Sequence, residues 1–194
     1  MNKIAFIIPG YVESKKSNPA YAKIAGYFRE KGMRTVIVNI DWRYKVMSDY
    51  VKQFKETYAK CDINGAEVYF LGFSYGAMIA FISSTELKPK IQILCSLSPY
   101  FKEDLPHIPT WWKKYVGKKR MADLQKISFN DSAGKISSKV ILLAGNKEGV
   151  EVEKRVRDAE SKIKNSKLIM IPKAKHKIGQ REYLAEIKKV ISKL

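Results

Sequence analysis

Residues 70–78 read FLGFSYGAM: an apolar run that closes on a serine held between two glycines and passes at once into small, helix-compatible residues. The run begins at Glu67 as EVYFLGF, a strand-like segment, and the residues after Ser74, YGAMIAFISS, carry the composition of a buried helix. Gly72-Phe73-Ser74-Tyr75-Gly76 therefore sits where a strand turns sharply into a helix. Such a turn lifts the serine hydroxyl above the sheet, and glycines on both sides remove side chains that would strike the neighbouring strand and helix. Ser74 is the candidate nucleophile.

Outward from this point the chain alternates between short Ile- and Val-rich runs and amphipathic segments. The runs are KIAFII (3–8), RTVIVNI (34–40), EVYFLGF (67–73), IQILCSLS (91–98), KVILLAG (139–145) and KLIMIP (167–172). Strands this apolar are buried on both faces, which a parallel sheet covered by helices provides. Between them, Asn18 as N-cap, Pro19 at the first helical position and Gly32 as a stop frame one helix, with Tyr21, Ile24, Ala25 and Phe28 on its inner face. A second helix is expected from Ser48, with Val51, Phe54 and Tyr58 inward. A third carries Val152, Val156, Ala159 and Ile163, and a terminal one Tyr183, Leu184, Ile187, Val190, Ile191 and Leu194. The expected architecture is a three-layer αβα domain spanning 1–194, with a mostly parallel sheet of about six strands. Residues 99–137 are too long for a simple crossover and read as a lid-like, short helical insertion after the fourth strand.

A serine attacks a carbonyl only when a base takes its proton and a third group orients that base. The chain has two histidines. His176 follows the last strand in IPKAKHKIG, above the carboxyl ends of the strands, where parallel sheets form their crevice; His107 stands between two prolines in the insertion. His176 is the better base. For the acid, LLAGNKEGV places Glu148 just past the fifth strand, with Glu103 and Asp104 after the fourth strand as alternatives.

The order Ser74, Glu148, His176 in this strand-elbow-helix context resembles the α/β-hydrolase fold, whose members run nucleophile, acid, histidine. The resemblance covers nearly the whole chain, and GFSYG, LLAGNKEG and KAKHKI are its most specific elements. It implies a strand order of 2-1-3-4-5-6. It also implies that IIPGY supplies one oxyanion donor, so that the backbone N–H of Tyr11 pairs with that of Tyr75. Pro9 stands where many members have histidine, which a backbone donor tolerates; the acid is Glu rather than the commoner Asp; and the family's first antiparallel strands have no counterpart before KIAFII.

Composition bounds the remaining choices. With 194 residues, 45% of them hydrophobic, the chain can bury one core and little more. Its two cysteines, Cys61 and Cys95, suggest neither a disulfide framework nor a zinc site, and a reducing, cytoplasmic location is expected. Pro9 and Gly10 cut the N-terminal apolar run short of a signal peptide, and no stretch approaches the roughly 20 apolar residues that span a bilayer. The net charge of +18 attracts anions, yet the lysines are scattered as on a solvated surface. In the insertion, Trp111, Trp112 and Tyr115 beside Lys113, Lys114, Lys118, Lys119 and Arg120 suit an anionic lipid or another anionic surface; nucleic acid is not an expected partner. The reading is a serine hydrolase of carboxylic esters or thioesters, needing no cofactor or metal, with Phe101, Trp111 and Trp112 lining an acyl pocket above Tyr11 and Tyr75. The alternatives are a non-catalytic binding module for an anionic partner, and an acyltransferase using the same residues.

Overall fold

The computed structural model describes residues 2–11, 19–43 and 45–194. Six strands, β1 (Lys3–Ile8), β2 (Arg34–Ile37), β3 (Glu67–Phe73), β4 (Ile91–Cys95), β5 (Lys139–Gly145) and β6 (Ser166–Ile171), form one sheet in the order β2-β1-β3-β4-β5-β6. Every neighbouring pair is parallel. The helices are α1 (Pro19–Arg29), α2 (Met47–Ala59), α3 (Tyr75–Leu87), α4 (Thr110–Val116), α5 (Lys118–Leu124), α6 (Phe129–Ala133), α7 (Val150–Lys162) and α8 (Arg181–Ile191), with a 3-10 turn at Leu105–His107.

Alternate side chains of a strand point to opposite faces, so the sheet divides the core in two. Ile4, Phe6, Ile8, Val68, Phe70 and Leu94 face one cluster, which α2, α3, α6 and α7 cover. Ala5, Ile7, Leu71, Phe73, Ile93 and Leu143 face the other, under α1 and α8. The three-layer arrangement follows: each helix buries one apolar stripe, and only a sheet apolar on both faces can receive stripes from two sides.

The strand runs survive with small corrections at their ends. β2 stops at Ile37 rather than at residue 40, although the Val38 N–H still reaches the Ile7 carbonyl. β4 stops at Cys95 because Ser96 takes a φ of 50°, which no strand accommodates, and gives its N–H to the Leu143 carbonyl. β6 starts one residue earlier, at Ser166. The second helix starts at Met47, its first turn fixed by the Asp49 carboxylate accepting from the Val46 N–H at 3.0 Å. Asn18, the expected N-cap of α1, lies outside the described residues.

Residues 99–137 hold the 3-10 turn and α4 to α6. Three anchors fasten them to the body. Arg155 of α7, with only 4% of its side chain exposed, pairs with Asp104 at 2.6 Å and Asp158 at 3.0 Å. Its guanidinium also lies 4.2 Å from the centroid of the Phe129 ring. On the opposite side of the insertion, Asp123 accepts from the Ser48 hydroxyl at 2.6 Å and from its N–H at 3.0 Å. Arg120 completes the set by donating to the carbonyls of Lys45 and Trp42.

Candidate active site

The β3–α3 turn is tight and strained. Ser74 has φ 56° and ψ −119°, a conformation that side-chain-bearing residues rarely adopt and that costs about 1–3 kcal/mol. The flanking glycines are sterically required. A Cβ on Gly72 would stand 2.3 Å from the Gly76 carbonyl oxygen, and a Cβ on Gly76 only 2.1 Å from that of Ile8. The turn thus closes against its own helix on one side and against the end of β1 on the other. Ser74 is held from below, its N–H donating to the Cys95 carbonyl at 2.9 Å.

His176 and Glu148 meet this serine from the two loops after β6 and β5. His176 Nε2 lies 3.0 Å from Ser74 Oγ, and its Nδ1 2.7 Å from Glu148 Oε2. The loops are built together. A Cβ on Gly145 would stand 2.3 Å from the Ala174 carbonyl oxygen, so this glycine lets the histidine loop pass directly over the end of β5. The N–H groups of Asn146 and Lys147 donate to the carbonyls of Ile171 and Ala174, and Asn146 Oδ1 accepts from the Lys173 N–H. Gln180 then braces the histidine turn from both sides, accepting from the Lys175 N–H and donating to the Lys173 carbonyl. The imidazole stacks at a tilt on Phe73, with ring centroids 4.9 Å apart.

The Glu148 side chain is fully buried, whereas 42% of His176 is exposed. Burial pushes the Glu148 carboxyl up. Hydrogen bonds from His176, Ser96, the Gly145 N–H and Tyr183 together outweigh burial and hold it below its ordinary value. Tyr183 donates to Glu148 Oε1 at 2.7 Å, and Ser96 Oγ lies 2.6 Å from the Tyr183 hydroxyl. Burial, then the Glu148 charge, pushes the Tyr183 phenol well above its usual value, so it stays a donor.

The two alternative acids are committed elsewhere. Glu103 caps α6, accepting from the Ser128 hydroxyl and the N–H groups of Phe129 and Asn130. Asp104 accepts from the Phe101 N–H and is paired with Arg155. His107 ends the 3-10 turn and makes no contact with Ser74 among the described residues.

Gly10 donates its N–H to the Tyr21 hydroxyl at 2.9 Å, which fixes the Pro9-Gly10-Tyr11 turn from α1. Neither the Tyr11 nor the Tyr75 N–H has an acceptor among the described residues; Tyr75 opens α3, where the first N–H groups have no intrahelical partner. Their side chains pack together, with ring centroids 5.4 Å apart.

Two cavities open at Ser74. One of about 260 Å³ is lined by Tyr11, Tyr75, His176 and Arg120, the other of about 250 Å³ by Ser98, Ile108, Trp111 and Val152. Trp112 stacks on Tyr100, centroids 4.1 Å apart, and this pair forms the partition between them. Trp112 lines both cavities, and Trp111 lines the second. Phe101, expected beside them, lines neither: it is wholly buried between Phe81 and Phe129, because the chain turns inward after Tyr100 and puts this ring into the core.

Several residues of the site escaped sequence reasoning. Ser98 Oγ is 3.1 Å from Ser74 Oγ and is buried. Ser96, Ser98 and Tyr183 were assigned to an apolar strand and an apolar helix face; their hydroxyls, which need partners when buried, were the available signal. Among the described residues no cluster of His, Cys, Asp and Glu could hold a metal ion, and no helix is long and apolar enough to cross a membrane.

Among solved structures the chain is similar to Est1E from Butyrivibrio proteoclasticus, with 17% identity over 99% of this chain and 86% of that one, at a TM-score of 0.83. A second Est1E structure, with ferulic acid bound, matches at a TM-score of 0.77 and 16% identity, covering 98% of this chain and 87% of that one. MGS-MChE2, an α/β hydrolase enzyme from a lagoon-sediment metagenome, matches at 18% identity and a TM-score of 0.72, with 100% of this chain and 90% of that one covered. No protein-family model and no curated protein matches the sequence. The fold is that of the α/β-hydrolases, as the resemblance of GFSYG, LLAGNKEG and KAKHKI implied.

Proposed function

We propose that this protein is a serine hydrolase of carboxylic esters or thioesters that works through an acyl-enzyme on Ser74. The observation that carries the reading is the continuous hydrogen-bonded line from Ser74 Oγ through His176 to the buried Glu148, at 3.0 and 2.7 Å. Esterases and hydrolases of the same fold, including Est1E with its bound ferulic acid, support it.

In the first step Ser74 Oγ attacks the carbonyl carbon and its proton passes to His176 Nε2. Glu148, ionised and fixed by Tyr183 and Gly145, holds Nδ1–H and stabilises the imidazolium. The oxyanion is received by the N–H groups of Tyr11 and Tyr75, each worth about 3 kcal/mol in the transition state, with the positive end of α3 behind them. The alcohol or thiol leaves with the proton from His176. Water then attacks the acyl-enzyme, His176 takes its proton and returns it to Ser74, and the carboxylic acid departs. Residues 99–137 serve as a lid, with Trp111 and Trp112 over the acyl group. Cys61 and Cys95 are both unpaired, in keeping with a cytoplasmic setting.

The test is intact-mass detection of a covalent adduct after exposure to a fluorophosphonate. One adduct on the wild type, absent from Ser74→Ala and His176→Ala, is the expected result. A folded wild type that takes no adduct would sink the reading and favour a binding module. Added alcohols, thiols or amines, with product analysis, separate hydrolysis from acyl transfer.

A further inference from the structure

Beside the site lies a larger cleft that the proposed chemistry does not use. It encloses about 920 Å³ between the end of β2 and the α4–α5 junction, and Tyr11, Val116 and Arg120 line both it and the smaller cavity at Ser74. The two adjoin through these three residues, with Arg120 facing both.

The cleft's charge is one-sided. Arg43, Lys45, Lys118, Lys119 and Arg120 line it, against a single carboxylate among the described residues, Asp41. Asp41 is already engaged by Arg43 at 2.9 Å and Lys45 at 3.9 Å. Lys118, Lys119 and Arg120 have no carboxylate partner among the described residues. Arg120 is also the cation least free to move. Its Nε donates to the Lys45 carbonyl at 3.0 Å and one Nη to that of Trp42 at 3.4 Å, while its guanidinium lies 5.4 Å from the Tyr11 ring centroid. A guanidinium has five N–H donors, so these two bonds fix its plane and leave donors for a ligand. Ile40, Trp42 and Val116 supply the apolar remainder of the wall, the mixture of surfaces that holds a small molecule rather than a flat partner.

We infer that this cleft binds an anionic group, a carboxylate or a phosphate, carried by the same ester whose carbonyl reacts at Ser74. The inference rests on the proposed hydrolase reading and adds its substrate class: charged esters over neutral ones of equal length. Held in a fixed plane, Arg120 meets either oxyanion in bidentate fashion, and Lys118 and Lys119 add to the field around it.

The test compares kcat/KM for 4-nitrophenyl valerate, mono-4-nitrophenyl glutarate and 4-nitrophenyl 4-phosphonobutyrate. The expected wild-type preference for an anionic ester is at least tenfold at 20 mM salt, shrinking at 500 mM, and the two anionic arms distinguish carboxylate from phosphate. Arg120→Met should reduce the preference about tenfold, and Lys118→Ala/Lys119→Ala about threefold. Because those lysines are exposed, the double variant keeps the test alive if Arg120→Met fails to fold. Calorimetric binding of monopropyl glutarate and of ethyl valerate to Ser74→Ala separates the two readings. Selective binding of the half-ester without turnover by the wild type would uphold the cleft and sink the hydrolase. Equal handling of neutral and anionic ligands, or Arg120→Met lowering all three esters alike, would overturn the inference.

Discussion

Ser74 is a residue whose backbone and side chain make opposite demands: its φ of 56° favours glycine, while the proposed chemistry needs a hydroxyl. Ser74→Gly should therefore be more stable than Ser74→Ala, by about 1 kcal/mol once glycine's extra unfolded-state entropy is subtracted, both variants being inactive. Urea unfolding of the pair measures it. Gly76→Ala, by contrast, drives a Cβ into the backbone of β1 and should cost roughly 4 kcal/mol or leave the protein insoluble. Glu148 gives a prediction in pH. Its folded carboxyl lies below its ordinary value of 4.5, so the stability it supplies is complete above that pH and is lost as pH falls through the depressed value. Glu148→Gln should be less stable than the wild type at pH 7, and the gap should close as the pH is lowered below about 4.5. At pH 7 the same substitution should lower kcat by roughly 10²–10⁴-fold, since the amide no longer stabilises the imidazolium.

At the scale of elements, α7 joins the proposed lid to the sheet. Its Arg155 is nearly buried, pairs with Asp104 of the insertion, and lies against the Phe101 and Phe129 rings. Removing one partner of a buried pair leaves the other charge uncompensated, so Arg155→Ala should cost about 3 kcal/mol or more. Removing both, as Arg155→Met/Asp104→Leu, should recover most of that loss. Thermal unfolding of the two variants decides whether the pair or only the arginine's bulk matters. The insertion was visible in the sequence as a length that no crossover needs. Its internal order was not: Phe101 was expected in the acyl pocket as part of the insertion, and only the inward turn of the chain makes it core.

For the whole molecule, a charge of +18 on 194 residues is a persistent self-repulsion that salt relieves. Raising NaCl from 50 to 500 mM should raise the melting temperature by a few degrees, even though the individual surface pairs weaken. An unchanged or falling Tm would mean that local pairs such as Glu153 with Arg157 dominate the balance.

The sequence by itself determined the layers, the parallel sheet, the strand-to-helix turn at Ser74 and the order of serine, acid and histidine. These depend on periodicity and on local sterics: a short apolar run buried on both faces, or glycines around a strained turn, are properties of a few consecutive residues. The tertiary structure decided the rest. Ser74 and His176 are 102 positions apart, and Glu148 and Tyr183 are 35 apart. Only the sheet's register, with Gly145 and Ala174 in backbone contact, brings those loops to hydrogen-bonding distance. Which of Glu148, Glu103 and Asp104 lies beside His176 was open in the sequence for the same reason. All three are carboxylates after a strand, and what separates them is whether a helix cap, an arginine or His176 reaches them first.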